Sequence, residues 1–174
     1  MWPIHHFIQI MKILEHRDIK QKIKRLAIQI LENNYGEKEI VLAGINNNGT
    51  AFAKMLETEL KNITDIPVVL TRIKLNPANP VENPVELALS PAELEGKPII
   101  IVDDVANTGR TIFYAFRPLM DFLPKKVEVA VLVDRKHKSF PILVDYLGIS
   151  LATTLRENIE VDISDPDNYE VSLQ

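Results

Sequence analysis

Apolar positions along the chain switch between helical and strand spacing. From Glu15 to Asn34, Ile19, Ile23, Leu26, Ala27, Ile30 and Leu31 share one helical face, which predicts an amphipathic helix stopped by Asn33-Asn34-Tyr35-Gly36. Ile40 to Gly44 is a short apolar strand, followed by the polar loop Ile45-Asn46-Asn47-Asn48-Gly49. Thr50 is a candidate cap for a second helix through Leu60, with Ala51, Met55, Leu56 and Leu60 buried. Ile66 to Leu75 is strand-like, and Asn76 to Pro91, with four prolines, reads as an irregular loop. Ile99-Ile100-Ile101-Val102 predicts a strand buried on both faces. A helix follows from about Thr111 to Phe122, with a kink or early end at Pro118. Val127 to Val133 is another buried strand, leading into the charged loop Asp134 to Lys138. Leu143 to Leu147 and Ile159 to Ile163 read as short strands, and the acidic tail from Ser164 is expected at the surface. Strands alternating with helices make the chain α/β, with a mostly parallel central sheet flanked by helices.

The richest chemistry lies in Pro98 to Thr111. Asp103 and Asp104 emerge at the carboxyl end of a buried strand, where ligands of parallel sheets gather. Ionised carboxylates only accept hydrogen bonds, so a pair of them suits a polyol such as ribose. Thr108, Gly109, Arg110 and Thr111 offer backbone N–H groups, two hydroxyls and a helix start, the parts of a phosphate cradle. Read separately, the same pieces are a strand end with a capping Asp and a plain Thr-Gly turn. Their order favours a phosphorylated ribose.

Composition narrows the setting. A length of 174 residues, 46% hydrophobic and 25% charged, suits one soluble domain over residues 1–174. No apolar run approaches the ~20 residues of a membrane span. The apolar start, residues 1–10, lacks a basic opening and a cleavage site and is not read as a secretory signal. With no cysteine, disulfides and Cys-ligated metals are excluded, and a cytoplasmic setting is expected. A net charge of −4 argues against a globally basic nucleic-acid binder. Arg135, Lys136, His137 and Lys138, with Lys125 and Lys126, are either an RNA-contacting patch or a solvated surface. His5-His6 reads as structural, since adjacent residues rarely converge on a metal, and His16 as solvated.

The stretch from Pro98 to Thr111 resembles the phosphoribosyl-pyrophosphate (PRPP) signature of the type I phosphoribosyltransferases. Val131 to Gly148, with Asp134-Arg135-Lys136-His137 and Pro141…Asp145-Tyr146-Leu147-Gly148, is similar to one branch, the bifunctional pyrimidine-operon attenuator and uracil phosphoribosyltransferase proteins. The likeness runs from roughly Ile13 to Ile163. It implies the type I fold with a small irregular hood. It also implies that Asp103 and Asp104 bind the ribose hydroxyls and that Ala106, Asn107, Thr108, Gly109, Arg110 and Thr111 wrap the 5′-phosphate. Asn46, Asn47, Asn48 and Gly49 become the pyrophosphate loop, and Arg135, His137, Ile142 and Tyr146 the base side. It further implies Mg²⁺ held mainly by PRPP oxygens rather than by protein ligands, a nucleobase and a nucleoside monophosphate as substrate and product, and a homo-oligomer, with a dimer favoured.

Three departures qualify that picture. Relatives usually carry Lys or Arg in the pyrophosphate loop, where this chain has three asparagines that bring donors but no charge. Asn and Gly tolerate left-handed backbone angles, so the loop is either an amide nest or an Asn-rich turn without a ligand. The hood stretch Asn76-Pro77-Ala78-Asn79-Pro80 lacks the usual Arg and acidic residues, and the nearest cations, Arg72 and Lys74, sit on the preceding strand. Asn107 replaces both the Asp of purine-using relatives and the Tyr of the uracil branch, and it cannot act as a general base. Two readings follow: a phosphoribosyltransferase using a uracil-like pyrimidine, or a nucleotide-binding regulator of pyrimidine gene expression with weak or no turnover.

Overall fold

The computed structural model describes residues 10–153 and 157–174, so His5 and His6 lie outside the described residues. Its elements run β1 (Met11–Glu15), α1 (His16–Asn33), β2 (Ile40–Ile45), α2 (Asn46–Ile63), β3 (Val68–Lys74), β4 (Glu86–Leu87), α3 (Pro91–Leu94), β5 (Pro98–Ala106), α4 (Arg110–Ala115), β6 (Lys126–Arg135), β7 (Tyr146–Leu151), β8 (Ile159–Asp162) and β9 (Glu170–Leu173). The main sheet has the order β4-β3-β2-β5-β6-β7. All its pairings are parallel except the β3–β4 edge. Among the described residues no helix is long and apolar enough to cross a membrane.

Two cores lie on opposite sides of this sheet. Alternate residues of the central strands explain why: Ile40, Leu42, Ile100, Val102, Ala130 and Leu132 pack under α1 and α2. Val41, Ala43, Ile99, Ile101, Val129 and Val131 face α3, α4 and the 3₁₀ turn Arg117–Asp121. A strand covered on both faces needs apolar residues at every position, which is the pattern of β2. The α1 stripe buries Ile19, Ile23, Leu26, Ala27 and Ile30 as expected. Pro118 ends α4 early and forces a 3₁₀ turn, also as expected.

Several expectations are corrected. Asn46 to Asn48 form the first turn of α2 rather than a loop before it, and the helix continues to Ile63. Thr50 is therefore internal, and its hydroxyl donates back to the Asn46 carbonyl instead of capping. Phe52, Ala53, Leu56 and Leu60 make the buried stripe, while Ala51 and Met55 are half-buried. The strand expected at Leu143 to Leu147 starts three residues later, at Tyr146, because Asp145 bonds Val129 through backbone and carboxylate before regular pairing begins. The tail is not simply surface: β9 pairs with β1 and β8 in a three-stranded antiparallel sheet and buries Val171 and Ser172. His16 is not free in solvent either; its Nδ1 accepts from the Tyr169 N–H at 3.2 Å and the two rings stack at 4.8 Å. The irregular loop expected over Asn76 to Pro91 holds for 76–85, but Glu86–Leu87 form β4 and Pro91 opens α3.

Candidate active site

The chain leaves β2 through α2 to β3 on one side, then returns to β5 on the other. The strand order reverses between β2 and β5, and beyond their carboxyl ends a cleft opens, as such switch points require. It encloses ≈ 370 Å³ between Asn46, Asn47 and Asn48 of α2 and Asp103 and Asp104 of β5. Pro77, Asn107, Thr111 and Ile159 complete its rim. Helix and strand meet closely here. A Cβ on Gly49 would stand 2.4 Å from the Val102 carbonyl oxygen, so only glycine lets α2 lie against β5 at this level.

The two carboxylates occupy different environments. Asp103 is buried and accepts from the Asp104 N–H at 2.9 Å. Burial, and then the neighbouring Asp104 charge, push the Asp103 carboxyl well above the usual carboxylate range. Asp103 thus keeps its proton more readily than an ordinary side chain and supports Asp104 from behind. Asp104 is half-buried; its Oδ1 accepts from the Val105 N–H at 2.9 Å and its Oδ2 from Asn48 Nδ2 at 3.0 Å. Each oxygen keeps acceptor capacity for a sugar hydroxyl.

A smaller hollow of ≈ 50 Å³ adjoins the cleft, lined by residues 105–112 alone. Gly109 makes the turn possible with φ 84, in the left-handed region. A Cβ there would also stand 2.7 Å from Ile142 Cγ1. The Thr108 carbonyl accepts the Ser139 and Phe140 N–H groups at 2.9 and 3.1 Å, which pins the turn from outside. Lys138 Nζ donates to the Ala106 carbonyl at 3.4 Å and pairs with Asp134, so a cation sits behind the turn. Because α4 has only six residues, a long helix dipole does not act on this hollow, and what it offers a ligand comes from the loop itself. Arg110 donates to the Pro77 carbonyl at 2.8 Å, tying the hood stretch to the turn at residues 108–111.

The three asparagines differ in use. Asn46, with φ 50, exchanges hydrogen bonds of 3.0 and 3.1 Å with the Leu75 carbonyl and N–H, so its amide is a structural pin. Asn47 Oδ1 accepts from Arg72 Nη2 at 2.6 Å. Asn48 holds Asp104. The left-handed angle expected of such residues occurs at Asn46, and the turn continues as helix.

The base-side group does not converge. Tyr146 is a correction: it is buried at the start of β7, its hydroxyl donates to Glu128 Oε2 at 3.0 Å, and burial raises its pKa. It belongs to the core under α1 and cannot meet a ligand in the cleft. Ile142 packs against the outside of the phosphate turn. Arg135 donates to Thr153 Oγ1 at 2.6 Å and to the Glu157 carbonyl, and His137 is exposed. The suggested basic patch also divides. Lys125 and Lys126 stand at the far end of β6 from Arg135 to Lys138, about 30 Å away at ~3.3 Å per residue, and pair with Glu37 and Glu128. Ile159 at the rim carried no site signal in the sequence, and Lys138, read only as part of a basic patch, stands behind the turn.

Among the described residues, no group of three or more His, Cys, Asp or Glu side chains converges as a metal cage. Of the two carboxylates only the half-buried Asp104 is placed to meet a hard cation, one that takes most of its ligands from a substrate.

The model of the phosphoribosyl transferase domain family matches residues 9–161. The Bifunctional protein pyrR of Enterococcus faecalis is 37% identical over 163 residues, covering 90% of this chain and 91% of that protein. The Bifunctional protein PyrR of Bacillus pumilus is 34% identical over 168 residues, covering 91% and 93%. Among solved structures, a hypoxanthine-guanine phosphoribosyltransferase from Bacillus anthracis superposes with TM-score 0.68 at 21% identity, over 83% of this chain and 84% of that one. A hypoxanthine phosphoribosyl transferase from Trypanosoma cruzi gives 0.70 at 20% identity, over 83% and 79%. At such identities these structures support the fold alone.

Proposed function

The chain belongs to the phosphoribosyl transferase domain family, and from that premise we propose that it transfers the ribose 5-phosphate of PRPP to a uracil-like pyrimidine, releasing pyrophosphate. One observation carries the reading: a ≈ 50 Å³ hollow lined by the loop residues 105–112 opens beside the Asp103–Asp104 pair at the strand switch point. In this reading the 5′-phosphate lies in the hollow, with Thr108 and Thr111 as hydroxyl donors. Asp104 accepts from the ribose hydroxyls and Asp103 steadies it. The base enters on the side bounded by residues 135–142, which carry Arg135 and His137. Mg²⁺ bound to the substrate would neutralise the departing pyrophosphate. The bond from the anomeric carbon to a base nitrogen forms as the bond to the pyrophosphate oxygen breaks, through an oxocarbenium-like state, and the proton of that nitrogen leaves to solvent. The protein contributes position and charge stabilisation. A homodimer completes the proposal, and light scattering tests it.

A regulator that binds nucleotide with little turnover is the second reading. The neutral first turn of α2 favours it, since Asn46 to Asn48 bring no charge to an anionic leaving group. Purified protein with Mg²⁺, PRPP and a panel of bases separates the two. Pyrophosphate release with uracil supports the transferase, and tight UMP binding without release for any base supports the regulator.

A further inference from the structure

We infer that Arg72 is the pyrophosphate-binding cation of this site, reaching the ligand from β3 instead of from the loop after β2. The inference rests on the transferase reading above and names the group that handles its leaving group.

Three observations point to Arg72. Its side chain leaves β3 at the level of Gly44, the point where β2 gives way to α2, and lies beside that helix's first turn. Its Nη2 donates to Asn47 Oδ1 at 2.6 Å, and Asn47 lines the cleft. Among the described residues Arg72 pairs with no carboxylate, whereas Lys74, two residues on, stands 3.9 Å from Glu86. An exposed guanidinium held by one neutral amide keeps donors free for a diphosphate, which a planar fork suits. The strand beneath it is fixed, since the Arg72 carbonyl accepts from the Ala88 N–H at 3.0 Å, so only the side chain has to move.

The contact also orients Asn47. With its oxygen taken by Arg72, the amide nitrogen becomes the donor available to the cleft. The 18-residue helix α2 adds the positive end of its dipole at the same place. A pyrophosphate here would meet one guanidinium, one amide and a helix start, although none of Asn46, Asn47 and Asn48 is charged.

The test is calorimetry with wild type, Arg72→Gln and Arg72→Lys, each titrated with PRPP, inorganic pyrophosphate and UMP in the presence of Mg²⁺. The expected result is a roughly 10- to 100-fold loss of PRPP and pyrophosphate affinity in Arg72→Gln, the scale of a lost charged hydrogen bond. UMP, which lacks a pyrophosphate, should bind within about twofold of wild type. Arg72→Lys should recover part of the loss, since an ammonium restores charge without the fork. Unchanged PRPP binding in Arg72→Gln would overturn the inference and leave the transferase reading intact. An equal loss of UMP would also overturn it, because Arg72 would then only shape α2. Wild-type protein that binds none of the three ligands would overturn both.

Discussion

The β5 side of the cleft and the β2–β3 side are built in different ways. On the β5 side, eight consecutive residues, 105–112, line a small hollow by themselves, with Gly109 in the left-handed region. On the other side, Asn47 of α2 meets Arg72 of β3, and Asn46 is pinned to Leu75 beyond the strand. The first is local chemistry written in one turn. The second exists only once β2 and β3 lie in register. A turn made by one local segment depends mainly on its glycine, while a contact assembled from two elements depends on their register.

Substitutions can break this contrast, beginning with the joint between the two sides. Gly49→Ala puts a Cβ 2.4 Å from the Val102 carbonyl oxygen, a backbone atom that cannot swing away. The expected cost is about 3 kcal/mol of stability by urea unfolding, with both ligand regions disturbed together. A variant as stable as wild type would show that α2 and β5 are not in contact there.

Asp104→Asn separates ribose recognition from folding. UMP affinity should fall roughly 10- to 100-fold by calorimetry, with little change in Tm because Asp104 is only half-buried. Unaltered affinity would remove Asp104 from the site.

The Asp103 carboxyl gives a pH signature. Its folded pKa is raised above the ordinary 3.8, so the native state holds a proton that the unfolded chain releases. The stability this provides is fully present below pH 3.8 and is lost as pH rises through the higher folded value, with a slope of up to ~1.4 kcal/mol per pH unit. Asp103→Asn should flatten that slope in urea unfolding measured across the window. Parallel profiles for the two proteins would mean that Asp103 is solvated.

The smallest effect is expected at the hood. Arg110→Gln removes the donor to the Pro77 carbonyl, an exposed contact worth about 1 kcal/mol. PRPP affinity should fall less than about fivefold, and a complete loss would place Arg110 on the ligand itself.

Periodicity made α1, β2, β5 and β6 legible, because a strand covered twice or a helix covered once writes its burial into the spacing of apolar residues. The turn at residues 108–111 was legible because glycine and threonine act locally. What the chain hid depends on distant partners. Helix α2 begins without a side-chain cap, at Ile45, so the capping signal at Thr50 misled. Strand β9 lies between nearby β8 and β1, which is far from it in sequence. Tyr146 follows a base-side pattern, yet its hydroxyl meets Glu128 under α1.

Ribose 5-phosphate is the most direct probe of the central claim, since it carries only the sugar and the phosphate that Asp104 and residues 105–112 are assigned to hold. Calorimetric titration should give saturable one-to-one binding to wild type, weakened by Asp104→Asn and by Thr108→Ala and lost when both are combined. Binding to the double variant as tight as to wild type would contradict the account.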